Sequence, residues 1–207
     1  MSIQSRLEVL GQEAGRAAAP DGVASRRRTW AGVLGPVLVL GVLAALRLPW
    51  LHAPLVTQDE GIILVYAQQI LDGRLPQRDF YTVYGPGTFG LTAGAFALFG
   101  STLVAERLIG LTFQALVVGG VYRLGLARGR GAAVGASLLS VLCLTPLGLA
   151  AYAWLGGIAC IVWGLVLLHG RKHIGAAFAL LALSAVFRPE IAQVIEVRSL
   201  EQLREHE

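Results

Sequence analysis

The sequence predicts an all-α, polytopic integral membrane protein with about five transmembrane helices and short amphipathic helices beside the membrane. Of its 207 residues, 55% are hydrophobic and 14% are charged, whereas soluble domains carry roughly 25% charged residues. The 40 residues between Arg130 and Arg171 include no Asp, Glu, Lys or Arg, and about 20 apolar residues suffice to cross a hydrocarbon core. This composition excludes an ordinary water-soluble globule.

The first apolar segment covers residues 30–46 and directly follows three arginines, Arg26, Arg27 and Arg28. We favour an uncleaved anchor over a cleaved signal peptide, because the run is longer than the usual apolar region and no A-x-A site follows. Residues 1–29 are then predicted to be a disordered cytoplasmic N-terminus. Further spans are predicted at residues 103–122, 131–149, 152–168 and 174–187.

The arginine clusters orient these spans. Residues 87–99 are also uncharged and would form another span if they crossed the membrane. Treating them as an interfacial or re-entrant helix puts the arginines of residues 123–130 on the cytoplasmic side, as the positive-inside rule requires. The same count places Arg171 and Lys172 inside, and the loop of residues 48–102 outside together with Arg188. The predicted location is therefore the cell membrane, with a cytoplasmic N-terminus and an extracytoplasmic loop.

The net charge of +4 bears on this orientation, because the arginines lie between apolar segments without the aromatic interleaving typical of nucleic-acid binding. We therefore exclude nucleic acid as a partner. Cys143 and Cys160 both lie in apolar stretches, where a thiol usually serves as a small core residue. No disulfide and no metal site is expected from them.

A short helix is predicted over residues 58–72 of the outer loop. Residues 57–60 read Thr-Gln-Asp-Glu, which matches the capping box, and Gly73 is well placed to end the helix. Apolar side chains recur at helical spacing, so the helix is expected to lie along the membrane surface; they belong to Ile63, Tyr66, Ala67 and Ile70.

Asp59 and Glu60 stand in the first turn of this helix, where the helix dipole and free backbone N–H groups favour an ionised carboxylate. Such a pair at a membrane surface can accept a proton or bind a divalent metal. Glu60 has an alternative role as the capping-box glutamate. Asp59 has no comparable duty, which favours Asp59 as the functional carboxylate.

An ordered series of motifs over residues 30–190 resembles the GT-C membrane glycosyltransferases. It is similar in particular to the branch that holds the protein mannosyltransferases, the aminoarabinose transferase of lipid A and the Rgt-type bacterial sugar transferases. The motifs are Thr57-Gln58-Asp59-Glu60-Gly61, Tyr66-Ala67-Gln68, Gly73-Arg74-Leu75-Pro76, Arg78-Asp79-Phe80, Tyr84-Gly85-Pro86-Gly87, Glu106-Arg107-Leu108 and Phe187-Arg188-Pro189-Glu190.

The resemblance implies inverting transfer of a sugar from a polyprenyl-phosphate carrier to an acceptor on the outer face of the membrane. In the family, the carboxylate after the first span takes the acceptor's proton or holds a metal that does so, and Asp59 occupies that place. A cation must face the departing lipid phosphate, and Arg74, Arg78 and Arg188 are candidates. Arg188 is favoured among them, with snorkelling to the interface as its alternative role.

The chain also departs from the family pattern. Where the family carries a basic residue before a Pro-Pro pair, this chain has Tyr84, which either donates a hydrogen bond to the phosphate or belongs to an aromatic interfacial belt. Family members have more spans, so the charged residues 191–207 are interpreted as the result of truncation or a frameshift, or as a solvated tail. The chain alone is then expected to be an incomplete transferase.

A non-catalytic role is the alternative: a polytopic membrane subunit or transporter remnant that binds lipid or partner helices. Small residues on the spans permit close helix packing in either case; they are Gly119, Gly120, Gly131, Gly135, Gly156 and Gly157. A transporter would place ionisable residues inside its spans. Here the carboxylates cluster in the outer loop, which favours the transferase.

Overall fold

The computed structural model describes residues 21–54, 57–170 and 173–190. Over these residues the chain is helical and forms no β-strand, which confirms the predicted all-α class. The helices are α1 (Asp21–Arg47), α2 (Gln58–Leu71), α3 (Pro86–Phe99), α4 (Leu103–Gly125), α5 (Arg130–Leu144), α6 (Ala153–Gly170) and α7 (Ile174–Phe187). Three short 3₁₀ turns cover Leu48–His52, Leu126–Arg128 and Thr145–Leu147.

The chain divides into two compact units, residues 1–37 and residues 38–207. In the first unit the described residues belong to α1, which begins at Asp21 and therefore well before the predicted anchor at residue 30. Ala and Arg favour helix, and no Gly or Pro interrupts the chain between Gly22 and Gly32. Residues 1–20 and the charged tail at 191–207 lie outside the described residues.

Four helical segments are long and apolar enough to cross a membrane, which indicates membrane association: Leu34–His52, Leu103–Arg128, Arg130–Leu147 and Ala153–Gly170. Helix α7 has 14 residues, about 21 Å at 1.5 Å per residue, against roughly 30 Å of hydrocarbon. The helix has the bounds predicted for the fifth span, residues 174–187, and by itself it is shorter than a full crossing. Helix α3 is equally short.

In the second unit, α4 is the central helix and packs against α2, α3, α5 and α6. The main core contains buried side chains from α1, α4, α5, α6 and α7, among them Val39, Leu43, Phe113, Val118, Val141, Leu155 and Phe187. A smaller core joins α2, α3 and the start of α4 through Ala67, Ala93, Phe96 and Ala105.

Two of the predicted small-residue contacts are present. A Cβ added at Gly120 of α4 would overlap Val162 of α6, and one added at Gly156 would lie 2.5 Å from the Phe187 ring. At Gly131 and Gly135 no atom lies within 4 Å of the added Cβ. Glycine therefore permits close packing along α6, whereas these two glycines of α5 do not take part in it.

Helix α2 confirms the helix predicted in the loop. The Thr57 hydroxyl accepts a hydrogen bond from the Glu60 backbone N–H at 3.4 Å. At the other end, Gly73 has φ 84°, and the Arg74 and Gly73 N–H groups donate to Gln69 and Ile70 carbonyls, both at 2.9 Å. This is the Schellman motif that a glycine after a helix favours.

Candidate functional site

A buried ion pair anchors the start of α2. Arg107 of α4 donates from Nε and Nη2 to the two carboxylate oxygens of Glu60, at 3.0 and 3.1 Å, and their side chains are 1% and 3% exposed. The remaining Arg107 donors bind backbone carbonyls of residues 50–54, including Trp50 at 2.8 Å and Pro54 at 3.1 Å. Arg107 thereby holds the chain between α1 and α2 in place.

This ion pair changes the interpretation of the Asp59 and Glu60 carboxylates. The Glu60 carboxylate, a candidate for catalysis or metal binding, is buried against Arg107 and has a structural role that accounts for it. Asp59 lies next to it in the same helical turn, about 100° further round the helix. Anchoring of Glu60 therefore sets the direction of the Asp59 side chain.

Asp59, Tyr84 and Arg188 line one cavity of about 80 Å³. The three residues come from the first turn of α2, the segment before α3 and the end of α7. The cavity is completed by Ile63, Thr88, Phe89, Tyr152, Ala153 and Trp154. The structure thus brings together a carboxylate, a phenol and a guanidinium that are far apart in the sequence.

Two glycines allow the end of α7 to meet the start of α3. A Cβ at Gly85 would overlap the Val186 carbonyl oxygen, and a Cβ at Gly87 would lie 3.0 Å from the Phe187 ring. The Gly85 N–H donates to the Phe187 carbonyl at 3.2 Å. This contact places Arg188 in the wall of the cavity. A larger residue at position 85 would push the end of α7, and with it Arg188, away from the cavity.

The cavity is lined by first-turn residues of three helices: Asp59 of α2, Thr88 of α3, and Ala153 and Trp154 of α6. The first turn of a helix carries backbone N–H groups without intrahelical partners and a partial positive charge. Together with Arg188, these ends favour an anion such as a phosphate group.

Thr88 supplies an unused polar group to the cavity wall. The residue is fully buried, and its hydroxyl oxygen has no hydrogen-bond partner among the described residues. Buried hydroxyls are normally hydrogen-bonded. Its position in the wall is typical of a side chain that binds a ligand.

Glu106 positions the aromatic side of the cavity. Its Oε1 accepts a hydrogen bond from the Ala151 N–H at 2.6 Å, and Ala151 directly precedes Tyr152. The rings of Tyr152 and Trp154 stack with centroids 5.8 Å apart. Burial raises the pKa of the Tyr152 hydroxyl above its usual value, so the hydroxyl keeps its proton at neutral pH.

Arg188 also forms an ion pair with Glu190, in which its Nε lies 3.4 Å from Oε2 of the carboxylate. Both side chains are partly exposed, at 38% and 47%. Exposed pairs of this kind are weak. A phosphate in the cavity would therefore compete with Glu190 for the guanidinium.

The other predicted cations lie elsewhere. Arg74 and Arg78 are exposed and do not line the cavity. Arg78 pairs with Asp79 at 3.0 Å, and its hydrogen bond, together with that from the Leu75 N–H, holds the pKa of the Asp79 carboxyl below its usual value. Tyr81, which also lies in the outer loop, is 75% exposed.

A metal site would have to use few protein ligands. Over the described residues no group of three or more His, Cys, Asp or Glu side chains is placed to hold a metal ion. Of the two carboxylates named as metal ligands, Glu60 is engaged by Arg107. Asp59 is the remaining carboxylate of that pair in the cavity wall.

Sequence reasoning missed Tyr152, Trp154 and Thr88 as parts of the site. The two aromatic residues were counted as the start of a span, and Thr88 as part of an apolar helix. The aromatic pair just before an apolar run was a weak signal, since aromatic residues also mark membrane interfaces. For Thr88 the sequence held no signal.

Comparison of the chain with protein-family models, with curated proteins and with solved structures finds no match. The functional interpretation therefore depends on the cavity and on the motifs in the chain itself.

Proposed function

We propose that the protein is a membrane glycosyltransferase of the GT-C type, or part of one. It transfers a sugar from a polyprenyl-phosphate-sugar to an acceptor on the extracytoplasmic face, with inversion. The observation that supports this most directly is that Asp59 and Arg188, the base and the phosphate-binding cation expected from the motifs, line the same cavity. A charge near the hydrocarbon region is costly, so two opposite charges that line one cavity support a functional role for it.

In the proposed reaction, the Asp59 carboxylate accepts the proton of the acceptor hydroxyl as its oxygen attacks the anomeric carbon. The bond between that carbon and the phosphate oxygen breaks, and the polyprenyl phosphate leaves with the electron pair. Arg188 and the first turns of α3 and α6 stabilise the negative charge that develops on the phosphate. Thr88 and Tyr152 are available as hydrogen-bond donors.

The path of the chain is consistent with the proposed topology. Helix α6 ends at Gly170 and helix α7 begins at Ile174, and the two helices pack along each other. Helix α7 therefore returns toward the end of the bundle at which α6 begins. Arg188 and Asp59 consequently line a cavity at one end. We propose that this end is extracytoplasmic. The arginines within residues 123–130, together with Arg171, then lie on the cytoplasmic side.

Binding of undecaprenyl phosphate, the carrier without its sugar, tests the phosphate site. The full chain purified in a neutral detergent is titrated with the carrier and the complex is measured by native mass spectrometry. Arg188→Gln is expected to weaken binding by about tenfold or more, because a charge-assisted hydrogen bond is lost. Glu190→Gln is expected to strengthen it, because it removes the competing carboxylate.

Arg78→Gln is the matched control, since Arg78 is an exposed arginine outside the cavity. Its affinity should remain that of the unmodified chain. Equal affinities for Arg188→Gln and Arg78→Gln would remove Arg188 from the proposed site.

A further inference from the structure

A second cavity, of about 260 Å³, lies between the end of α1 and the turn that joins α5 to α6. Its wall includes Arg47 at the end of α1 and Trp50 in the 3₁₀ turn that follows. Pro146 and Leu147 of the turn after α5 and Thr57 also line it. It has no part in the proposed transfer reaction. We call it the Arg47 cavity.

Arg47 is a buried cation, only 2% exposed. Its Nη1 donates to the Thr145 carbonyl at 3.1 Å, and its Nη2 donates to the Leu144 carbonyl. These carbonyls end α5, so the guanidinium caps that helix where the dipole favours a positive charge. Both partners are uncharged.

The third nitrogen atom of the Arg47 guanidinium, Nε, makes no hydrogen bond within the described part of the chain. Among the described residues no carboxylate forms an ion pair with Arg47. An unpaired buried charge is costly. An anion in the cavity would supply the missing counter-charge.

The remaining wall restricts the kind of anion. Trp50 is 53% exposed, and with Pro146 and Leu147 it gives the cavity a mainly apolar lining. Trp50 also lies near the end of the apolar segment Leu34–His52, where aromatic residues mark the level of the lipid headgroups. A small inorganic anion would leave the apolar wall uncovered, and a neutral lipid would leave the charge unbalanced.

We propose that the Arg47 cavity binds the phosphate group of an anionic membrane phospholipid. The phosphate pairs with the charge of the Arg47 guanidinium, and the glycerol and first methylenes cover Trp50 and Leu147. The volume of 260 Å³ is slightly below the roughly 300–1,000 Å³ of small-molecule sites. It is too small for a whole lipid, so only the headgroup region enters the cavity and the acyl chains remain in the membrane. The lipid thereby joins the end of α1 to the turn after α5.

The test uses the purified full chain in a neutral detergent, titrated separately with dioctanoyl phosphatidylglycerol, dioctanoyl phosphatidylcholine and inorganic phosphate. Native mass spectrometry gives each dissociation constant. We expect one phosphatidylglycerol per chain, bound at least about tenfold more tightly than the other two ligands. Arg47→Gln should remove most of this preference, whereas Arg128→Gln, at an exposed arginine outside the cavity, should preserve it.

Leu147→Trp fills the cavity without altering Arg47. If circular dichroism shows that Arg47→Gln does not fold, Leu147→Trp serves as the test of lipid binding in the cavity. It should also weaken phosphatidylglycerol binding by about tenfold. Equal losses in Arg47→Gln and Arg128→Gln would overturn the proposal, because general surface attraction would then explain binding. Inorganic phosphate binding as tightly as phosphatidylglycerol would overturn the lipid assignment, and so would unchanged binding in Leu147→Trp. Because no readout depends on sugar transfer, these outcomes are independent of the proposed enzyme activity.

Discussion

Replacement of Asp59 with Asn is expected to slow sugar transfer by about 10²–10⁴-fold, the usual contribution of a general base. The amide has nearly the shape of the carboxylate but cannot accept the acceptor's proton. The measurement uses native membrane vesicles, in which the full chain is present with its membrane partners and acceptors, supplied with undecaprenyl-phosphate-linked sugars radiolabelled in the sugar. Label that leaves the carrier is counted over time.

Asp72→Asn is the control for this variant. Asp72 ends the same helix, is exposed, and accepts a hydrogen bond from Gln68 at 2.9 Å outside the cavity. Its transfer rate should equal that of the unmodified chain. Undiminished transfer by Asp59→Asn would remove Asp59 from the mechanism.

Replacement of Arg107 with Ala is expected to lower the free energy of unfolding by about 3–5 kcal/mol, the usual cost of breaking a buried ion pair by removing one partner. The Glu60 carboxylate would be left buried without its cation, and four backbone carbonyls would lose a donor. The unfolding midpoint in mixed detergent micelles, followed by circular dichroism, measures the effect.

Arg78→Ala provides the comparison, because it also removes an arginine from an ion pair but at an exposed position. Exposed pairs contribute little to stability, so its unfolding midpoint should barely change. Arg107→Ala with the same midpoint as Arg78→Ala would show that the Arg107 network does not hold the start of α2.

Local signals in the chain predicted the outer-loop helix well. The Thr57 cap and the Gly73 stop act within a few residues, so they can be read from the sequence without knowledge of the fold. The bounds of α7 were predictable as well, because the apolar composition runs from residue 174 to Phe187. The start of α1 at Asp21 lies before the predicted apolar segment, because a helix can extend into a polar, basic segment.

The site was only partly predictable, since its residues meet through tertiary packing. Asp59 and Arg188 were identified one by one, but their common cavity depends on the close contact of Gly85 with the end of α7. Glu60 had two roles open to it, and the third, pairing with Arg107, joins positions 47 residues apart. Such long-range pairs leave no local pattern in a single sequence.

Photocrosslinking tests whether the Asp59 cavity binds the phosphate end of a polyprenyl-phosphate sugar. A polyprenyl phosphate with a diazirine in its first isoprene unit is irradiated with the full chain in lipid nanodiscs, and the labelled peptides are identified by mass spectrometry. We expect label within residues 84–89, 152–154 or at Arg188, lost on addition of unlabelled undecaprenyl phosphate. Label confined to the Arg47 cavity, or spread over the helices without competition, would contradict the account.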